Sequence, residues 1–117
     1  MTTTTTTNLK PMKLDPTWPK HPNFYISVTT HVGATRLMGL FRRHGWTTRV
    51  RDYGDLDLIC ELAHLIAGGP SPMQVSGRVL DPIKNGARIL EILTSAGVRY
   101  SADAFDETNE IIKSWDT

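Results

Sequence analysis

Between Asn23 and Thr30, apolar Phe24, Ile26 and Val28 alternate with Tyr25 and Ser27, the period-two signature of a strand. Ala34, Leu37, Met38 and Phe41 then recur at helical spacing, with Arg36, Arg42, Arg43 and His44 elsewhere around the helix and Gly45 placed to close it. A helix is therefore expected from Gly33 to His44. Thr47 to Tyr53 is rich in β-formers and follows a very short connection, so it predicts a strand returning beside the first and completing a βαβ unit.

The segment from Leu56 to Ile66 fits two templates. Its even positions alternate like a strand, whereas Leu58, Ile59, Leu62, Leu65 and Ile66 fit a helix face with Asp57, Glu61 and His64 opposite. The helix is favoured, because Asp55 can cap it, Leu62 and Ala63 are good helix formers, and Gly68-Gly69-Pro70 is a strong stop. A strand here would instead give a ferredoxin-like βαββαβ domain. Met73 to Leu80 reads as a short hairpin turning at Ser76-Gly77. Asp81-Pro82 then opens a helix carrying Ile83, Ile89, Leu90, Ile92 and Leu93 and closed by Gly97. Arg99 to Phe105 and Glu110 to Trp115 form a final hairpin through Glu107-Thr108-Asn109. Arg36, Leu37, Leu40, Phe41 and Gly45 share one offset with Arg88, Ile89, Ile92, Leu93 and Gly97, as two helices would that pack on a sheet and end in glycine in the same way.

Residues 1–23 differ from the rest, with six threonines at Thr2 to Thr7 and prolines at Pro11, Pro16, Pro19 and Pro22. They read as a flexible or extended arm preceding a single α/β domain over 24–117. Trp18, flanked by Pro16 and Pro19, can dock in a groove of its own domain or of a partner. The length of 117 residues, 39% of them hydrophobic, suits one core. Thirteen Lys and Arg against twelve Asp and Glu give a formal charge of +1, so no global field would hold the chain on nucleic acid or an anionic membrane. The single cysteine, Cys60, excludes an intrachain disulfide and fits a reducing compartment as a small buried apolar residue. No apolar run is long enough to span a bilayer, and no signal segment opens the chain. A cytoplasmic location is the expectation.

The order Glu61-Leu62-Ala63-His64-Leu65, Gly68-Gly69, Ser71-Pro72-Met73-Gln74-Val75, Ser76-Gly77-Arg78 and Asp81-Pro82 resembles the glutaredoxin branch of the thioredoxin fold over about 70 residues. In that family a helix ends in glycine, a cis proline precedes a short strand, and a glycine turn and second strand lead to the last helix. The resemblance implies a βαβαββα sandwich followed by a C-terminal hairpin, with Pro72 as the candidate cis proline. The family's Cys-x-x-Cys is replaced here by Thr29-Thr30-His31-Val32-Gly33, so the resemblance implies a redox-inactive member. His31-Val32-Gly33 also resembles the glycine loop of ACT-type regulatory domains, which are ferredoxin-like and bind small effectors.

Candidate chemistry is sparse. His31 beside Thr29 and Thr30 has no orienting carboxylate in view, and the face bearing Asp57, Glu61 and His64 reads as solvated rather than as a metal site. The excess of arginine from Arg36 to Arg51 is offset by Asp52, Asp55, Asp57 and Glu61. No phosphate-binding glycine loop and no base-reading motif is present, so neither a cofactor nor sequence-specific nucleic acid is expected. The expected function is non-catalytic binding to a partner protein, as inhibitor, adaptor or antagonist, with a homodimer possible. The candidate surface comprises Thr30, His31, Arg42, Arg43, Ser71 and Pro72. The alternatives are an effector-binding regulatory domain and an enzyme of unrecognised type.

Overall fold

A computed structural model describes residues 18–51, 54–69 and 73–117. The chain runs β1 (Phe24–Val28), α1 (Ala34–Arg43), β2 (Thr47–Val50), β3 (Leu56–Cys60), β4 (Ala63–Gly68), β5 (Met73–Val79), α2 (Pro82–Ser95), β6 (Tyr100–Phe105) and β7 (Ile111–Asp116). The seven strands form one sheet in the order β2-β3-β4-β5-β1-β6-β7, and every neighbouring pair is antiparallel.

This architecture corrects the expected thioredoxin-like βαβαββα sandwich, and it equally excludes the ferredoxin-like alternative. Three local differences produce it. Leu56 to Ile66 is two strands joined at Glu61-Leu62, with Leu56, Leu58 and Ala63, Leu65, Ala67 all turned into the core. Met73 to Val79 is one continuous strand, because Gly77 serves a close approach rather than a turn: a Cβ there would collide with the His64 carbonyl oxygen and stand 2.8 Å from Leu65 Cα. Thirdly, β2 does not return beside β1 but lies at the sheet edge, with β3, β4 and β5 between them. The C-terminal hairpin forms where the sequence placed it.

One face of the sheet carries the core. Phe24, Ile26 and Val28 of β1, Val75 and Val79 of β5, and Tyr100, Ala102 and Ala104 of β6 join Leu37, Leu40 and Phe41 of α1 and Ile89, Leu90 and Leu93 of α2 in one buried cluster. Both helices therefore cover the same face. They also end alike: Gly45 and Gly97 adopt φ of +87° and +75°, the N–H of Trp46 donates to the Phe41 carbonyl, and that of Val98 to Leu93. This is the glycine-closed helix end that the repeated spacing anticipated. Asp81 precedes α2 as expected, but it adopts a left-handed φ of 46° and makes no side-chain cap bond.

Asn23 fastens the start of β1. Buried at 8% exposure, its amide donates to the Val79 carbonyl at 2.9 Å while its Oδ1 accepts the Val79 N–H at 2.8 Å. The pair of bonds fixes where the chain enters the sheet relative to the end of β5.

Two glycines separate packing from conformational freedom. Gly77→Ala is expected to cost at least about 2 kcal/mol, because the collision is with backbone that cannot move alone. Gly39→Ala, inside α1 with nothing within 4 Å of its new methyl, should instead stabilise by about 0.5–1 kcal/mol. Urea midpoints with unchanged slopes would measure both.

Candidate functional site

Two features stand on the face of the sheet opposite the helices. The first is a charge cluster on β2, β3 and β4. Asp57 of β3 lies directly opposite Arg49 of β2, and His64 of β4 reaches it diagonally. Arg49 donates to Asp57 Oδ2 through Nε at 3.0 Å and approaches it through Nη2 at 2.9 Å. His64 Nε2 lies 3.0 Å from Oδ1, and Arg51 Nε lies 3.9 Å from the same oxygen. The side chains of Arg49 and Arg51 are 55% and 46% exposed, whereas that of Asp57 is 2% exposed: the longer side chains cover the carboxylate.

Burial by itself works to raise the pKa of Asp57, but the hydrogen bonds and charges of His64 and Arg49 outweigh it, and the net direction is down from 3.8. The sequence had placed Asp57 and His64 on one face by helical spacing. They do meet, but through strand register, and Glu61 is not part of the cluster.

The second feature is a groove at the end of the sheet where β1 begins and β5 and β6 finish. Its apolar lining includes Trp18, Tyr25, Phe105 and Ile112, and its rim carries Lys20, Asp81, Asp106 and Glu107 around about 910 Å³ of space. The rings of Tyr25 and Phe105 meet edge to face at 5.3 Å, on adjacent strands of the open face. Tyr25 remains 43% exposed and Ile112 41% exposed. Asp106 shapes this wall, since its Oδ1 accepts the N–H of Thr108 at 2.9 Å, the hydroxyl of Thr108 at 2.7 Å and the N–H of Glu110 at 3.0 Å. These bonds hold its carboxyl below the ordinary range. Trp18, singled out in the sequence, is half-buried in this groove. Tyr25, Phe105 and Ile112 were not singled out, and their signal was faint: two aromatic side chains at positions the β alternation assigns to the solvent side.

The residues proposed from sequence do not form one surface. Thr30 lies at the far end of β1, where its hydroxyl accepts the Arg99 N–H at 2.8 Å, and His31 is exposed beside it. Arg42 and Arg43 stand at the opposite end of the sheet, in the last turn of α1, where Arg42 Nε donates to Thr48 Oγ1 at 2.6 Å. Ser71 and Pro72, with the question of a cis peptide there, lie outside the described residues. Cys60 is half-buried against the core, and burial pushes its thiol pKa up. Among the described residues, no three His, Cys, Asp or Glu side chains converge as metal ligands would, and no helix is long and apolar enough to cross a membrane.

The Asp57 cluster generates a pH prediction. A carboxylate with a lowered folded-state pKa adds stability above its unfolded value and loses it as pH falls through the folded value. The chain should therefore lose stability below about pH 4, and Asp57→Asn should flatten that loss while costing about 1.5–3 kcal/mol at pH 7, as thermal melts from pH 7 to acid would measure. No family model matches the chain, and neither a curated protein nor a solved structure is significantly similar to it.

Proposed function

We propose that this domain is a non-catalytic binding protein that acts by seating a segment of a partner protein, as an inhibitor, adaptor or antagonist. The observation that carries this reading is the groove lined by Trp18, Tyr25 and Phe105. Aromatic side chains accessible at a groove and held by a fixed scaffold supply large contact area at small entropic cost, and Trp and Tyr dominate the energetics of protein interfaces. The groove is built on elements that cannot shift freely: Asn23 fastens β1 to β5, and Asp106 closes the β6–β7 turn. Its lining, aromatic within and charged at the rim, suits a partner segment with an apolar anchor.

The reading moves the expected partner surface to the groove. Tagged wild-type protein, used as bait in lysate of its native host, identifies the partner. The double variant Tyr25→Glu with Ile112→Glu should then weaken that partner at least about tenfold, equivalent to about 1.4 kcal/mol. Its thermal midpoint should stay within a few degrees of wild type, because neither side chain belongs to the buried core. Arg42→Glu with Arg43→Glu serves as the comparison at the other surface. Loss of binding in that pair, with retention in the groove variant, would assign the interface to α1 instead.

A further inference from the structure

The two edges of the sheet differ. β2 has four residues, carries Arg49, and is packed by α1, which is how protected edges are built. β7 has six residues and presents Ile111 at 57% and Ile112 at 41% exposure. Among the described residues nothing pairs with its outer side.

The hydrogen-bond phase of β7 is set by its inner neighbour. The Thr117 N–H donates to the Tyr100 carbonyl, and Ala102 faces Trp115 while Ala104 faces Lys113. In an antiparallel pair the bonded positions alternate, so Lys113, Trp115 and Thr117 turn their backbone groups inward to β6. The backbone groups of Ser114 and Asp116 therefore point outward, unused.

We infer that β7 pairs with β7 of a second copy of this chain, antiparallel and with Ser114 on the two-fold axis. Other registers fail for stated reasons. Centring on Lys113 sets two like charges directly opposite each other, and centring on Trp115 leaves Lys113 facing Thr117 instead of an aromatic ring. Centring on Asp116 sets like charges opposite each other, and centring on Ile112 falls in the irregularity between Ala104 and Phe105. With Ser114 at the centre, Lys113 of one copy stands opposite Trp115 of the other, twice by symmetry. Within one chain, Lys113 Nζ already lies 5.9 Å from the centre of the Trp115 ring, so the second copy repeats a cation–aromatic contact the strand already makes. The Asp103 carboxylates, each accepting its own Ser114 hydroxyl at 2.6 Å, come no nearer than about three strand spacings, roughly 14 Å, beyond the screening length at physiological salt. The pairing extends the sheet to twice its strands and leaves the helices of both copies on one side.

A ladder of about five residues buries less than the roughly 1,000 Å² of a stable interface, so the dimer depends on concentration. Sedimentation from about 1 µM to about 1 mM should show the mass rise from 13.1 kDa towards twice that value. Hydrogen exchange read by NMR shows which backbone groups pair. The amides of Ser114 and Asp116 should exchange rapidly in dilute protein and at least about tenfold more slowly in concentrated protein, while those of Lys113, Trp115 and Thr117 stay protected in both. Ser114→Pro removes one outward N–H and no inward one, and should remain a monomer throughout. Ser114→Cys tests the same axis without touching the backbone: bonded partners across the axis stand about 5.5 Å apart at Cα, within disulfide reach. Oxidation should yield a covalent dimer that the wild-type chain, whose one thiol is Cys60, does not give. A constant mass of 13.1 kDa with fast Ser114 and Asp116 amides at every concentration would overturn the inference, as would a dimer that Ser114→Pro leaves intact.

Discussion

The fit of Phe24 is the constraint on which the rest of this fold depends. It stands on an interior strand, fully buried, and three of its neighbours are small. Gly77 is opposite on β5, Ala104 is opposite on β6, and Gly86 of α2 lies so close that an added Cβ would stand 2.5 Å from the ring. Trp115 then closes the space edge to face at 5.6 Å. A side chain of this size contributes about 1.5–3 kcal/mol by burial, but its larger role is positional. It spaces α2 from the sheet, requires glycine at position 86, and ties the last strand to the first.

Much of this architecture was legible locally. The alternation of Phe24, Ile26 and Val28, the glycine-closed helices and the C-terminal hairpin each rest on contacts within a few residues, and each forms near its expected bounds. What failed depended on partners far along the chain. Leu56 to Ile66 satisfies both a helical and a strand period, and the turn that divides it, Glu61-Leu62, contains none of the usual turn residues. Asp57 decides the matter in three dimensions, because a nearly buried carboxylate needs Arg49 and His64 beside it, and only strand pairing brings them there. Gly77 misled for a related reason. Glycine marks a tight turn or a close backbone approach equally well, and the His64 carbonyl that requires it here is invisible locally.

The functional features follow the same division. The groove draws on the chain before β1, the end of β5 and the β6–β7 turn, three segments whose meeting no spacing rule reports. Trp18 drew notice because an aromatic among prolines is conspicuous, whereas Tyr25 and Phe105 were outward positions of ordinary strands. Their proximity arises because β6 crosses back beside β1, so the groove is a product of topology as much as of composition. The Asp57 cluster lies on the other half of the same open face, where it fastens β2, β3 and β4 together and leaves the aromatic end free of its charges.

The interior place of β1, between β5 and β6, also governs how the chain can reach this structure. Ile26 pairs with Val75 and with Ala102, 49 and 76 residues further along, whereas β2, β3, β4 and β5 pair in simple succession. During synthesis β1 can pair only once β5 has emerged, and its second neighbour, β6, comes still later. Closing such long loops precedes any gain from the contacts they permit. A nascent chain that stops short of β6 leaves β1 as an open sheet edge, available to whatever else is nearby.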